Sequence, residues 1–285
     1  MQSEIETPQD TNKSIKLSLN GVNLDQPIIM GILNVTPDSF FDGGQHINDA
    51  DIIRKVNSME FNGAQIIDIG GYSSRPGAAE ISEEEELKRV LPIVKLIRSN
   101  FSDLLISIDT FRSSVAKQCV NAGANIVNDI SGGSLDAKMF DTIAQLKTPY
   151  VLMHIKGDPS NMQDNPTYSD ITKEVHQYFT EKISELNTNG IFNIILDPGF
   201  GFGKTVEHNY ELLKNLNQFN SFKLPVLVGF SRKSMINKVL NTTPEEALNG
   251  TSVLNTLALI QGVKILRVHD VKEANQCIQL VEMIH

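Results

Sequence analysis

Eight times between Ile28 and the C-terminus, a short apolar run rich in β-branched residues gives way to a segment with helical spacing. The runs are 28–35, 64–70, 104–109, 125–129, 150–154, 193–197, 225–230 and 265–269. Between them, Ile52, Ile53, Val56 and Met59 form one stripe, and Leu87, Val90, Leu91, Val94 and Ile97 form another. Strand–helix alternation at this count and length predicts an α/β chain folded as a single (β/α)8 TIM barrel. A doubly wound open sheet shares the periodicity. Connection lengths favour the barrel. Helix-to-strand links such as 121–124 and 262–264 are short, whereas 36–48, 71–81 and 155–168, which follow strands, are long. A barrel builds its active site from loops on that carboxyl side.

Upstream, IKLSLNGVNL alternates apolar residues about Asn20-Gly21, which predicts an N-terminal β-hairpin. Residues 1–14 are polar, lack the apolar core of a secretory signal and read as a disordered tail; residues 15–285 read as one domain. A chain of 285 residues buries roughly 75% of its unfolded surface, so no disulfide or metal staple is needed. No run of about 18 apolar residues is present, which argues against a membrane span. Cys119 and Cys277 lie far apart in predicted helices, as buried thiols in a reducing cytoplasm would. The net charge of −9 argues against bulk nucleic-acid binding, so any basic site is local. Ser82 with Glu85 predicts a capping box, Asp270 with Glu273 its acidic analogue, and Pro92 a kink. Two helices, 233–240 and 244–261, are expected after the seventh strand. The second is apolar beyond one stripe (Ala247, Leu248, Val253, Leu254, Leu257, Ile260), which suits a face covered by a second subunit.

The strands turn polar at their ends. In order they deliver Asn34, Asp68, Asp109, Asn128 with Asp129, His154, Asp197, the Ser231-Arg232-Lys233 run, and Arg267 with His269. Burying polar groups without a partner or a use costs free energy, and eight ends in succession make a shared site the economical explanation. Arg75, Arg232, Lys233, Arg267 and His269 suit a phosphate or carboxylate. Asp109, Asn128 and Asp197 are acceptors suited to a ring with an edge of N–H donors. GFGKT at 201–205 is not a phosphate loop, because that spacing needs glycine where Pro198 stands.

Taken together, GILNVTPDSFFDGG (31–44), DIGGYSSRPGA (68–78), SIDT (107–110), NDISGG (128–133), MHIKGDPSNMQ (153–163), DPGFGFGK (197–204), GFSRKSMI (229–236) and RVHDV (267–271) resemble the dihydropteroate synthase family. The resemblance runs from about Ile28 to the C-terminus in the family's order, with Ser74 and Tyr72 where threonine and glutamate are usual. It implies a (β/α)8 barrel that joins p-aminobenzoate to 6-hydroxymethyl-7,8-dihydropterin diphosphate, with release of diphosphate. Asp109, Asn128, Asp197 and Lys233 would bind the pterin. Arg267, His269 and Asn34 would hold the diphosphate, with Asn34 also a ligand of Mg²⁺. Ser74, Arg75 and the 36–44 loop would cover the p-aminobenzoate site, and Ser234 would meet its carboxylate. Catalytic roles would fall to Lys233, Asp38 and Arg75, with Asp38 stabilising a pterin-methyl cation after diphosphate departs. A cytoplasmic homodimer is expected. A corrinoid-dependent methyltransferase on the same barrel would not need the Ser-Arg-Pro-Gly (74–77), Ser-Arg-Lys (231–233) or Arg-Val-His (267–269) runs. A non-catalytic binder should have lost part of the cationic set.

Overall fold

A computed structural model describes residues 18–19, 22–24, 26–35, 41–42, 46–73, 80–157, 162 and 165–284. Asp38, Ser74, Arg75 and the 1–14 tail lie outside the described residues. Eight parallel strands alternate with helices. They are β1 (Ile28–Asn34), β2 (Ala64–Gly70), β3 (Leu105–Asp109), β4 (Ile126–Asp129), β5 (Tyr150–Met153), β6 (Ile194–Asp197), β7 (Leu227–Val228) and β8 (Ile265–Val268). The helices are α1 (Asp49–Phe61), α2 (Glu83–Asn100), α3 (Ser113–Asn121), α4 (Met139–Leu146), α5 (Ile171–Thr188), α6 (Val206–Lys214), α7 (Ser234–Leu240), α8 (Leu248–Ile260) and α9 (Val271–Glu282).

Hydrogen bonding runs β6-β5-β4-β3-β2-β1-β8-β7, sequence neighbours side by side and the last strand joined to the first. The two ends meet through a parallel bridge between Leu196 and Val226, where the Leu196 N–H donates to the Pro225 carbonyl at 2.9 Å. That contact closes the barrel and decides against the open sheet. β7 is shorter than its apolar run because Pro225 has no N–H for the ladder. Ser18–Leu19 pairs antiparallel with Val22–Asn23, and the intervening Asn20 and Gly21 lie outside the described residues.

Period-two alternation divides the core. Ile28, Met30, Ile66, Leu105, Ile126, Val151, Ile195, Leu227 and Ile265 fill the barrel interior, joined by Leu24. The alternate residues pack outward on the helices in a second, larger cluster. Each such side chain contributes about 1.5–3 kcal/mol when fully buried. α2 runs through Pro92 without a break. Pro92 and Lys88 both lie on the exposed side, so the Lys88 carbonyl that loses its partner can meet water.

Two caps differ from expectation. The Ser82 hydroxyl accepts from the Glu85 N–H at 3.1 Å, but the Glu85 carboxylate turns to Arg89 instead of completing the box. Asp270 precedes α9 without a side-chain cap, because Arg232 takes its carboxylate.

Candidate active site at the carboxyl end of the barrel

Once Ile66, Leu105, Ile126, Ile195 and Ile265 point inward, alternation fixes which later residues do the same. Asp68, Asp109, Asn128, Asp197 and Arg267 follow at even steps, as Asn34 follows Ile28 and Met30 on β1. The polar strand ends therefore converge on one mouth.

Arg267 organises it. Its Nε donates to Asp68 Oδ2 at 2.7 Å and its Nη2 to Asp109 Oδ2 at 2.7 Å. Asn128 Nδ2 donates to the same Asp68 oxygen at 3.0 Å. Asp68 is wholly buried, and its Oδ1 has no partner among the described residues. A Cβ placed on Gly70 would stand 3.6 Å from both Asn34 Oδ1 and Asp109 Oδ2, so a bare glycine separates these two oxygens.

Burial draws the titrations of this mouth toward neutrality. It pushes the Asp109 carboxyl up to about 7, against the pull of Arg267. The Asp197 carboxyl is raised for the same reason, against Lys233 and the Gly199 N–H that it accepts. Burial lowers Lys233 to about 8, with Asp197 opposing. It lowers His269 to about 4, helped by Arg267 and Arg232. His269 is thus neutral at pH 7, and among the described residues the cationic set rests on Lys233 and Arg267.

Lys233 is the N-cap residue of α7. Its Nζ donates to the Phe200 carbonyl at 2.5 Å and lies 4.7 Å from the centre of the Phe202 ring. Ser234 begins α7 and is exposed. The Ser231 hydroxyl accepts from the His269 N–H at 3.3 Å, tying the ends of β7 and β8 together. Arg232 is exposed, and its Nη2 pairs with Asp270 Oδ1 at 2.7 Å. Its charge is shared with Asp270 at the edge of the cationic patch, where it still acts on His269.

Asp129, adjacent to Asn128, faces the other way. It accepts from Ser131 N–H and Oγ–H, Gly133 N–H and the Tyr150 hydroxyl at 2.7–2.9 Å, which fixes the loop after β4. Asp68 was visible as a strand end, but its place between Arg267 and Asn128 was not. Lys204 appeared in a failed phosphate-loop motif and at the end of the 197–204 segment, with no role given to it, yet it is buried beside His154.

Among the described residues no helix is long and apolar enough to cross a membrane. The family described as pterin binding enzyme matches residues 30–269. A dihydropteroate synthase of Escherichia coli is 47% identical over 94% of this chain and 96% of its own. A crystal structure of the Yersinia pestis dihydropteroate synthase with a sulfonamide drug superposes with a TM-score of 0.87 at 43% identity, covering 92% of this chain and 96% of that one. The Xanthomonas albilineans dihydropteroate synthase with 4-aminobenzoic acid gives 0.85 at 37% identity, covering 92% and 94%. A closed barrel with its polar strand ends gathered at one mouth, and likeness of this extent, lead to one conclusion: the chain belongs to the pterin-binding enzymes, among the dihydropteroate synthases.

Proposed function

We propose that the mouth binds 6-hydroxymethyl-7,8-dihydropterin diphosphate beside p-aminobenzoate and joins them to 7,8-dihydropteroate, as a folate-forming transferase. The observation that carries this is the juxtaposition of acceptors (Asp109, Asn128, Asp197) with cations (Lys233, Arg267) at inward positions of one barrel end. The 2-amino and ring N–H groups of a pterin donate to carboxylates, while Lys233 donates to the ring carbonyl and a ring nitrogen. Arg267 offers its guanidinium to diphosphate, with His269 as a neutral N–H donor beside it.

The C–O bond from the pterin methylene to diphosphate breaks, and its electron pair leaves with diphosphate. The lone pair of the aryl amine forms the new C–N bond, and the nitrogen then releases a proton. A neutral aryl amine is already nucleophilic, so no strong general base is required. Asp38, outside the described residues, would stabilise the methylene cation if diphosphate departs first. Ser74, Arg75 and Ser234 would serve the p-aminobenzoate side, where sulfonamides would compete.

Mg²⁺ fits the donor set. No three carboxylate, imidazole or thiol side chains gather to hold a metal among the described residues. Magnesium keeps water and phosphate oxygens as ligands, so the single amide oxygen of Asn34 would be enough to tether it. When bound, it would neutralise leaving-group charge.

A cytoplasmic homodimer completes the proposal. Both described cysteines are buried and unpaired, as expected of a reducing compartment. Leu248, Val253, Leu257 and Ile260 of α8 and Leu280 of α9 are exposed on helices that pack together. A second copy would cover them.

The test is diphosphate release by the purified protein with both substrates and Mg²⁺, beside Lys233→Ala. Release that requires the amine and falls at least about tenfold in the variant is expected. Pterin diphosphate binding with no release would overturn the proposal in favour of a non-catalytic binder.

A further inference from the structure

Lys204 is 3% exposed, and its hydrogen bonds run to the loops after β5 and β6, not to the Arg267 cluster. Its Nζ lies 2.9 Å from the Gly199 carbonyl, 2.9 Å from the Phe202 carbonyl and 3.0 Å from His154 Nδ1, with the His154 carbonyl at 3.3 Å. Three close acceptors match the three protons of an ammonium. Two belong to the turn after β6, and the imidazole belongs to the segment after β5. The ammonium therefore fastens one loop to the other.

The turn lies directly on that neighbouring backbone. Gly199 has φ +71°, and a Cβ there would stand 2.0 Å from the His154 carbonyl oxygen. Gly203 has φ +60°, and a Cβ there would stand 2.5 Å from the Lys156 carbonyl oxygen. Only glycine permits that approach at both points. Between the two glycines the turn presents what Lys233 rests on. The Phe200 carbonyl accepts from Lys233 Nζ, the Phe202 ring lies beside the ammonium, and a Cβ on Gly201 would stand 3.2 Å from Lys233 Cδ.

We propose that Lys204 is a positioning residue for the reaction: it fixes the 199–202 turn that aims Lys233, and so sets the pterin side of the site. The inference rests on Lys233 contacting the pterin, as argued above. Burying an ammonium is expensive, and burial lowers Lys204 to about 7. An apolar side chain would fill the space without that cost, but would leave the turn's carbonyls unpaired. A lysine here therefore serves the shape of the turn.

The test is a double-mutant cycle on the full chain with Lys204→Met, Lys233→Ala and both together. Pterin diphosphate affinity is read by calorimetry, and the KM for p-aminobenzoate is read at saturating pterin diphosphate. Lys204→Met is expected to weaken pterin diphosphate binding about tenfold, the loss typical of hydrogen bonds to a charged group. The KM for p-aminobenzoate is expected to stay within about twofold, and the double variant to bind little worse than Lys233→Ala alone. Lys204→Gln keeps two N–H donors and covers the case in which the Met variant does not fold. The same split, smaller, is expected of it. Equal loss for both substrates, or full additivity with an effective Lys233→Ala, would leave Lys204 a brace of the fold only and overturn the proposal. Unchanged affinity in Lys233→Ala would instead overturn the placement of Lys233 itself.

Discussion

Asp109 and Lys233 titrate within about one pH unit of each other, at about 7 and about 8. On the proposed reading, an ionised Asp109 accepts from a pterin N–H more strongly than a protonated one, so affinity is expected to fall as pH drops through about 7. A charged Lys233 donates more strongly and attracts the diphosphate, so affinity is expected to fall again as pH rises through about 8. Pterin diphosphate affinity is therefore expected to peak between these values in a pH series of binding titrations. Asp109→Asn should weaken the acidic limb, leaving the part due to Asp197, whose carboxyl is also raised, and should leave the alkaline limb in place. Arg267 has a second duty. It is the shared cation of Asp68 and Asp109, and Asp68 is wholly buried. Arg267→Met should cost about 3 kcal/mol in denaturant unfolding, because breaking a buried pair strands its partner's charge. A loss below about 1 kcal/mol would show that the pair does not hold the mouth together.

At the level of elements, parity along a strand sorted neighbours that composition could not. Asn128 and Asp129 are consecutive polar residues at one strand end, yet β4 sends Asn128 into the mouth and Asp129 toward the helices. Ile126 facing inward was enough to decide this, so the distinction was present in the sequence once the register was known. Asp129→Ala strands the Ser131 N–H and the Tyr150 hydroxyl in buried surroundings. At about 1–3 kcal/mol for each unsatisfied group, the expected destabilisation is about 3 kcal/mol. Equilibrium unfolding measures it, and a change within about 0.5 kcal/mol would refute the structural role. Arg232 and Asp270 show the opposite case. Each had a local expectation, an anion site for one and a helix cap for the other, and a pairing across 38 positions removed both. Likewise Glu85 follows Ser82 at capping-box spacing, but Arg89 one turn later takes its carboxylate.

At the level of the whole molecule, α8 and α9 carry an exposed apolar face that the barrel does not use. Val253 is 50% and Leu257 45% exposed, on a helix apolar on most sides. Sedimentation equilibrium is expected to give a dimer, and Val253→Glu with Leu257→Glu a monomer with the barrel intact by circular dichroism. A native chain that stays monomeric at high concentration would refute the covering copy. The barrel itself was legible because alternation between strand and helix periods is a local property, repeated until only a few topologies remained. The candidate site was legible as a list, because polar residues at strand ends stand out against apolar runs. What the list could not contain was pairing: that Arg267 lies between Asp68 and Asp109, that Arg232 pairs with Asp270, that burial lowers His269, and that Lys204 is buried against the carbonyls of its own loop. Residue types and their spacing along the chain determined the architecture and the end of the barrel where the chemistry lies. Hydrogen-bond partners, protonation and the assignment of each charge depend on distances between residues far apart in sequence, and only the closed tertiary structure decided them.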